Sequence, residues 1–195
     1  MIEERNNLYP IFLKTSKLAI LIVGGGNVAE EKLRFLTKSS PDANITMVSP
    51  MYKNVTLSLA KKFNVLLIRE TYHKRHLDGI HLVIATTDEP EVNLTVYKDC
   101  RRYDKMVNVA DNPPYCDFYM GGIVTKGNVK VAISTNGKSP TTAKRLRQYF
   151  EDVIPEDIHF MVQNLNNYRK TIKGDFGQKV KKMNQMTQYL VNAED

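Results

Sequence analysis

The chain has 195 residues and a formal net charge of +7, with 42% hydrophobic and 25% charged residues, which is ordinary for a soluble globular protein. None of its apolar runs approaches the ~20 residues that a membrane-spanning helix needs. The N-terminal MIEERNNLYP is charged and polar, unlike a secretory leader. We therefore expect a cytoplasmic protein with no membrane partner.

Cysteine and histidine usage predicts no metal site. Cys100 and Cys116 share no metal-ligand spacing and are too few for a disulfide framework, so we interpret them as reduced thiols. His73 and His76 lie close together in YHKRH, but no carboxylate or cysteine accompanies them in a metal spacing. A solvated basic loop is the favoured interpretation of that stretch.

The positive charge suits an anionic partner. Lysines and arginines are scattered through YHKRH, KRLRQ and KKMNQM rather than massed in one tail. This distribution weakens the case for nucleic acid, so none is predicted, and a small substrate with many carboxylates remains.

The first half of the chain alternates strand and helix patterns. LAILIV at 18–23 is a continuous apolar run, typical of a strand buried on both faces, and a helix is predicted from about Asn27 to Lys38. The following predicted elements are strands at 45–49, 65–68, 81–86 and 106–110 and helices at 54–63 and 91–103. The repeat predicts an α/β fold, a Rossmann-type doubly wound parallel sheet with helices on both faces.

The pattern changes after residue 111. FYMGGIV and VKVAIS are predicted strands joined by a Lys-Gly-Asn turn, and Pro140 opens a helix with Ser139 as its N-cap. The last forty residues are helical in pattern with a break near 174–177. We therefore predict a dinucleotide-binding domain at 1–111, a strand-and-helix module at 112–154 and a small helical domain at 155–195.

A glycine-rich turn joins the first strand to the first helix. Gly24-x-Gly26-x-x-Ala29 fits the G-x-G-x-x-G/A fingerprint, in which the first glycine permits a tight turn and the second lets the backbone approach a pyrophosphate. The alternative, a glycine turn that binds nothing, is disfavoured by the regular βαβ setting. Ser49-Pro50 follows the next strand, where NAD-binding domains usually carry a carboxylate for the ribose, so the pattern leaves NAD versus NADP open.

Several segments together resemble one family. NLYPIFLKTSKLAILIVGGGNVAEEK is similar to the opening of the siroheme-synthase N-terminal family, the precorrin-2 dehydrogenases and sirohydrochlorin ferrochelatases. HLDGIHLVIATTDEPEVN, VNVADNPPYCDFYM and AISTNGKSPTTAKRLR resemble three further motifs of that family, in the family's order. The tail is the weakest match.

The resemblance implies NAD⁺-dependent oxidation of precorrin-2 to sirohydrochlorin, in siroheme or cobalamin biosynthesis. It implies a homodimer whose contacts come from the module at 112–154, with tail helices that shape the substrate cleft. In some members the same site also inserts iron. Precorrin-2 carries acetate and propionate groups on every ring, so it is a candidate for the anionic partner.

Asp111 is the predicted catalytic residue. It follows the strand MVNVA and occupies the position of the family's catalytic aspartate, where it would act as a general base. The alternative is an aspartate that only caps the DNPP turn. Asp117 is interpreted as a residue that hydrogen-bonds the backbone.

The predicted binding residues lie at strand ends and in the helix entry. Those for the cofactor NAD are Gly24, Gly25, Gly26, Asn27, Val28, Ser49, Pro50, Thr86, Thr87 and Asn108. Lys138 and Ser139 are predicted to bind the substrate, and no residue is predicted to bind a metal ion. Two other functions stay open: added ferrochelatase activity, and a non-catalytic NAD-sensing regulatory domain.

Overall fold

A computed structural model describes residues 5–188. Its chain forms two compact units: the first runs to Gly121 and also includes Ser134–Ser139, and the second comprises Gly122–Ile133 and the residues from Pro140 onward. The three segments predicted from the sequence, with boundaries after 111 and 154, stay a prediction.

The first unit is built on a five-stranded parallel sheet in the order β3-β2-β1-β4-β5. Its elements are β1 Ile20–Val23, α1 Asn27–Ser39, β2 Ile45–Val48, α2 Asn54–Lys62, β3 Leu66–Ile68, β4 Leu82–Ala85, α3 Pro90–Arg102 and β5 Met106–Val109. The predicted Rossmann-type sheet is thereby confirmed. Short 3-10 turns lie at Thr15–Lys17, Lys74–Leu77 and Pro113–Tyr115.

Helices cover both faces of this sheet, because successive side chains of a strand point to opposite sides. On one face, Ile20 and Ile22 pack with Leu33 of α1 and Ala60 of α2. On the other, strand residues of β1, β4 and β5 pack with Val96 and Cys100 of α3. The residues of β1 and β4 are buried throughout, as their unbroken apolar runs predicted.

The second unit contains an antiparallel hairpin and helices. Its elements are β6 Gly122–Lys126, β7 Val129–Ile133, α4 Pro140–Val153, α5 Ile158–Thr171 and α6 Phe176–Thr187. Helix α4 packs on both strands, and α5 packs on β7 and α6. The predicted helix start at Pro140 is confirmed.

Two predicted boundaries differ from the structure. The strand predicted from Phe118 begins only at Gly122, because Phe118 and Met120 pack against the sheet of the first unit. Lys126 pairs with Val129 as the last residue of β6, so the turn is shorter than Lys-Gly-Asn and uses Gly127 at φ 56°. Within residues 5–188 no helix is long and apolar enough to cross a membrane.

Candidate cofactor and active site

The site lies at the carboxyl edge of the parallel sheet. The chain runs from β1 outward through β2 to β3 and then returns to the other side of β1 as β4, so strand order reverses between β1 and β4. Open α/β sheets bind ligands in the crevice outside the strand ends at such a reversal. The register aligns the last residues Val23, Val48, Ala85 and Val109, which brings the four loops that follow them to one edge.

The glycine turn is packed tightly on both sides. Gly24 has φ +125°, and a Cβ on it would lie 2.6 Å from Oγ1 of Thr86. A Cβ on Gly25 would overlap the carbonyl oxygen of Met51 and lie 2.7 Å from Oγ of Ser49. Neither position has room for a side chain, so the turn needs glycine at both.

Gly26, in contrast, faces open space. A Cβ on it would meet no atom within 4 Å, and it is the N-cap of α1 without any side-chain capping hydrogen bond. The first N–H groups of α1 are therefore left for another acceptor, and the helix dipole favours an anion there. A pyrophosphate fits this geometry, because its close approach requires a backbone with no side chain in the way.

Asn27 and Val28 open α1, and Ser49 and Pro50 open the loop after β2. The N–H of Ser49 donates to the carbonyl oxygen of Ile68 at 3.1 Å, which ties this loop to β3. Tyr52 completes the anchor, because its hydroxyl lies 2.8 Å from the carbonyl oxygens of both Met47 and Ile68. Burial raises the pKa of the Tyr52 hydroxyl to about 12.

The loop after β4 is held by bonds of Thr86 and by Asn93, a residue that the sequence analysis did not single out. Thr86 donates from its N–H and from Oγ1 to the carbonyl oxygen of Val23, each at 2.8 Å, which fixes it beside Gly24. Asn93 of α3 accepts from the N–H of Thr87 at 3.2 Å and from its Oγ1 at 2.8 Å, and donates to its carbonyl oxygen at 2.9 Å. The spacing of Thr87 from an amide in the first turn of the next helix was the available signal.

Asp111 lies on the loop after β5. The N–H of Ala110 donates to the carbonyl oxygen of Ala85 at 2.9 Å, and Asp111 is the next residue after this hydrogen bond. It is exposed and has φ 58°, a left-handed conformation that a residue other than glycine adopts at some cost. The placement at the sheet edge matches the expectation, and the catalytic role stays a proposal.

Asn108 and Asp117 fix the loop that carries Asp111. The amide nitrogen of Asn108, buried in β5, donates to the carbonyl oxygen of Phe118 at 2.7 Å. A carboxylate oxygen of Asp117 accepts from the N–H of Val107 at 2.8 Å and also contacts Arg101. Asp117 therefore bonds the backbone, as expected. Asn108 donates its side-chain N–H to this loop, and a contact between Asn108 and the cofactor stays a prediction.

Lys138 and Ser139 lie in a turn that belongs to the same unit as Asp111. The N–H of Lys138 donates to the carbonyl oxygen of Thr135 at 3.0 Å, and the N–H of Ser139 donates to Oγ1 of Thr135 at 3.3 Å. A Cβ on Gly137 would lie 3.8 Å from the Tyr119 ring. Lys138 is exposed and Ser139 immediately precedes α4, and contact of either with a substrate stays a prediction.

The two cysteines are free thiols. Burial raises the pKa of Cys100 to about 12, which keeps it neutral and unreactive at physiological pH. Cys116 accepts a hydrogen bond from Asn108 and lies 3.2 Å from the carbonyl oxygen of Val109. Among residues 5–188, no group of three or more histidine, cysteine or acidic side chains is placed to hold a metal ion.

Two family models match the chain in succession. The model described as "Putative NAD(P)-binding" covers residues 11–122, more than half of the chain, and the model described as "Sirohaem biosynthesis protein central" covers residues 126–152. The first contains the glycine turn, the loops after β2 and β4, and Asp111. The second contains most of the hairpin and α4.

Relatives of this chain include siroheme synthases. Siroheme synthase of Pseudoalteromonas translucida is 36% identical over 86% of this chain, and siroheme synthase of Hydrogenovibrio crunogenus is 38% identical over 84% of it. The matched part is 35% of each of these relatives, so the chain spans about a third of their length. Among solved structures, SirC, a precorrin-2 dehydrogenase, superimposes with a TM-score of 0.73 over 95% of this chain and 93% of its own at 21% identity, which supports the fold.

The cofactor expectation agrees with these matches, since the glycine turn that fits a pyrophosphate lies inside the NAD(P)-binding model. Apart from the first four residues of the opening motif, the motifs that carried the resemblance fall within the same matched ranges. The chain belongs to the NAD(P)-binding family of the siroheme synthase type.

Proposed function

We propose that this protein is an NAD-dependent dehydrogenase that oxidises precorrin-2 to sirohydrochlorin. The observation that carries the proposal is the succession of the two family models along one short chain, with Asp111 inside the first and at the same sheet edge as the glycine turn. The names of the relatives, siroheme synthase and precorrin-2 dehydrogenase, support this substrate class.

The residues of the crevice would hold the cofactor by its phosphates and ribose. Gly26 and the first N–H groups of α1 would hold the pyrophosphate, and Thr86, fixed beside Gly24, would line the part of the crevice between β1 and β4. When bound, NAD⁺ supplies the hydride acceptor. The chain's own contribution is to orient that acceptor against the macrocycle.

Asp111 would accept the proton that accompanies the hydride. Dehydrogenation removes a hydride, which carries two electrons to the cofactor, and one proton, which needs a base. The carboxylate of Asp111 is exposed at the edge of the sheet and its backbone is held by the bonds of Ala110 and Asn112, so it meets the requirement of a positioned, accessible base.

Incubation of the chain with precorrin-2 and NAD⁺ under anaerobic conditions tests the proposal. We expect sirohydrochlorin and NADH to form in equal amounts, which their absorbance spectra measure. Absence of turnover with both NAD⁺ and NADP⁺, although the dinucleotide binds, would refute the dehydrogenase and favour a non-catalytic NAD-sensing role.

A second activity, insertion of Fe²⁺ into sirohydrochlorin, is favoured by the name siroheme synthase of the relatives. In that reaction Asp111 would take protons from pyrrole nitrogens as the metal substrate enters. The test is the spectral change of sirohydrochlorin with Fe²⁺ or Co²⁺, with and without the chain. A rate equal to the uncatalysed one would restrict the protein to dehydrogenation.

A homodimer in the cytoplasm completes the proposal. Large apolar side chains are exposed on the helices of the second unit, among them Tyr149 at 59%, Val153 at 57% and Phe160 at 58%. Surfaces of this kind often mark protein contacts. Light scattering after size exclusion should give twice the monomer mass, and a monomer at micromolar concentration would argue against the dimer.

A further inference from the structure

The loop after β2 carries positive charge at the place where dinucleotide-binding domains distinguish their cofactors. The residue that meets the adenosine ribose follows the second strand, about 20 residues beyond the glycine turn. In NAD-binding domains it is usually a carboxylate, which hydrogen-bonds the 2′-hydroxyl and repels a 2′-phosphate. Here that place is taken by Ser49, whose Oγ lies beside the turn at Gly25.

Lys53 brings an ammonium group to the same place. It is the N-cap of α2, and its Nζ contacts Oδ1 of Asn27, the first residue of α1. The Lys53 ammonium thus lies at the start of the helix whose first N–H groups would face a bound pyrophosphate. Asn27 offers it only a neutral oxygen, so its charge is not neutralised there.

The acidic side chains nearest in sequence on α1 are already paired. Glu30 bonds Arg34 at 2.8 Å, and Glu31 bonds Lys32 at 3.2 Å. Within the part of the chain that the structure describes, no carboxylate forms an ion pair with Lys53. The Lys53 ammonium is therefore available to an anionic ligand.

A second cation belongs to the same corner of the sheet. Arg69 directly follows β3, the neighbour of β2, and is exposed. Val48 pairs with Ile68 in the parallel register, so Ser49 and Arg69 each directly follow one residue of the same pair. The loop 49–53 thus carries one cation and the hydroxyl of Ser49, Arg69 begins the segment after the neighbouring strand, and the loop 49–53 contains no carboxylate.

We propose that Ser49 and Lys53, with Asn27 beside them, form a subsite for a ribose 2′-phosphate, so that the crevice accepts NADP as well as NAD. This inference rests on the proposed function only in assuming that a dinucleotide binds at the glycine turn. The positive charge of this loop would then bind the ribose 2′-phosphate rather than the pyrophosphate.

Binding of two fragments measures this subsite without any turnover. Adenosine 2′,5′-bisphosphate and AMP differ in the 2′-phosphate alone, and isothermal titration of the 195-residue chain with each gives the ratio of their dissociation constants. NADP⁺ and NAD⁺ give the same ratio for whole cofactors. We expect the 2′-phosphorylated ligand of each pair to bind at least as tightly as its partner.

Lys53→Ala should shift that ratio by about tenfold against the 2′-phosphate, the effect of one charge-assisted hydrogen bond. Ser49→Asp should shift it in the same direction, because the new carboxylate repels a phosphate and can bond a ribose hydroxyl. Lys61→Ala, an exposed lysine on the same helix, is the matched control and should leave the ratio unchanged.

Three results would overturn the inference. NADP⁺ binding at least tenfold weaker than NAD⁺ would exclude the subsite. Equal losses for both ligands in Lys53→Ala would place the ammonium on the pyrophosphate instead. An equal shift of the ratio of dissociation constants in Lys61→Ala would show that the preference depends on the net charge of the protein and not on Lys53. If no dinucleotide binds at all, the cofactor site itself fails, a result distinct from these three.

Discussion

Gly25 and Gly26 are neighbours with opposite surroundings, and this separates the folding of the turn from its binding function. A methyl group at Gly25 would overlap Met51, whereas a methyl group at Gly26 meets nothing within 4 Å. The first glycine is required by packing, and the second is required only if a ligand approaches the backbone. Paired alanine substitutions therefore test the cofactor site directly.

We expect Gly26→Ala to keep the free energy of unfolding within ~1 kcal/mol of wild type while weakening dinucleotide binding at least tenfold, because the methyl group occupies the space of the pyrophosphate. Gly25→Ala should lower the free energy of unfolding by about 1–3 kcal/mol, since Met51 and Ser49 must move. Urea denaturation and NADH fluorescence titration measure the two quantities. Unchanged NADH affinity in Gly26→Ala would move the cofactor elsewhere.

Asp111 combines a reactive side chain with a left-handed backbone, so the choice of substitution matters. Asparagine tolerates that backbone and matches the shape of aspartate but cannot accept the proton. Asp111→Asn should lower kcat for precorrin-2 by about 10²–10⁴-fold, the usual contribution of a general base, and leave the dissociation constant of NADH within about twofold. Near-normal kcat in this variant would show that Asp111 only forms the turn.

Among the elements, the loop after β4 depends most on a single side chain. Asn93 makes three hydrogen bonds to Thr87, and these join the start of α3 to the loop that carries Thr86. Its loss would leave polar groups of Thr87 unpaired and the loop free to move. The expected consequence is weaker cofactor binding rather than slower chemistry.

Asn93→Ala should raise KM for the dinucleotide several-fold and change kcat by less than twofold, since each lost hydrogen bond is worth about 1 kcal/mol. Thr95→Ala is the matched control, because Thr95 is exposed on the same helix and its hydroxyl donates to the carbonyl oxygen of Glu91 within that helix. Steady-state kinetics with varied NAD⁺ give the comparison. A fall in kcat with unchanged KM would place Asn93 in the chemistry instead.

The packing of α3 on β5 carries a dependence on pH. Burial raises the pKa of Cys100 to about 12, whereas a cysteine in the unfolded chain titrates near ~8.5. Below pH ~8.5 the Cys100 thiol is protonated in both the folded and the unfolded chain, so its titration does not lower the free energy of unfolding. As the pH rises from about 8.5 towards 12, only the unfolded chain ionises, so stability falls by up to ~1.4 kcal/mol per pH unit.

Cys100→Ala should remove this part of the alkaline loss, although the smaller side chain lowers stability at every pH. The quantity to compare is the slope of the unfolding free energy between about pH 8 and 10.5, measured by urea denaturation. Tyr52, whose pKa is also raised, is common to both proteins, so its contribution to the slope cancels. Equal slopes would mean that Cys100 is solvated or already ionised in the folded chain.

Sequence periodicity predicted the strands of the parallel sheet closely and misplaced the start of β6. The unbroken apolar runs of β1 and β4 located both strands to within two residues. Phe118 and Met120 misled the prediction, because their alternation suits a strand although they pack on another sheet. At the site, glycine spacing and the resemblance indicated the turn and Asp111. Lys53 emerges only from its contact with Asn27, which is distant in sequence, whereas Asn93 had a local signal in its spacing from Thr87.

At the scale of the whole molecule, the net charge of +7 should affect the encounter with the proposed anionic substrate more than the chemical step. Long-range attraction raises the rate at which an oppositely charged ligand arrives, and salt screens it beyond a Debye length of about 10 Å at 0.1 M. Once the substrate is bound, its reaction depends on short-range contacts, which salt screens less than it screens the long-range attraction. The two kinetic parameters should therefore respond differently to salt.

We expect kcat/KM for precorrin-2 to fall several-fold between about 0.02 M and 0.5 M NaCl, while kcat changes by less than twofold. KM for the dinucleotide, which carries fewer charges, should change less than KM for precorrin-2. Potassium glutamate in place of NaCl separates screening from specific chloride binding. A kcat/KM independent of salt would mean that the positive charge lies away from the substrate's approach, and that precorrin-2 is held by local contacts alone.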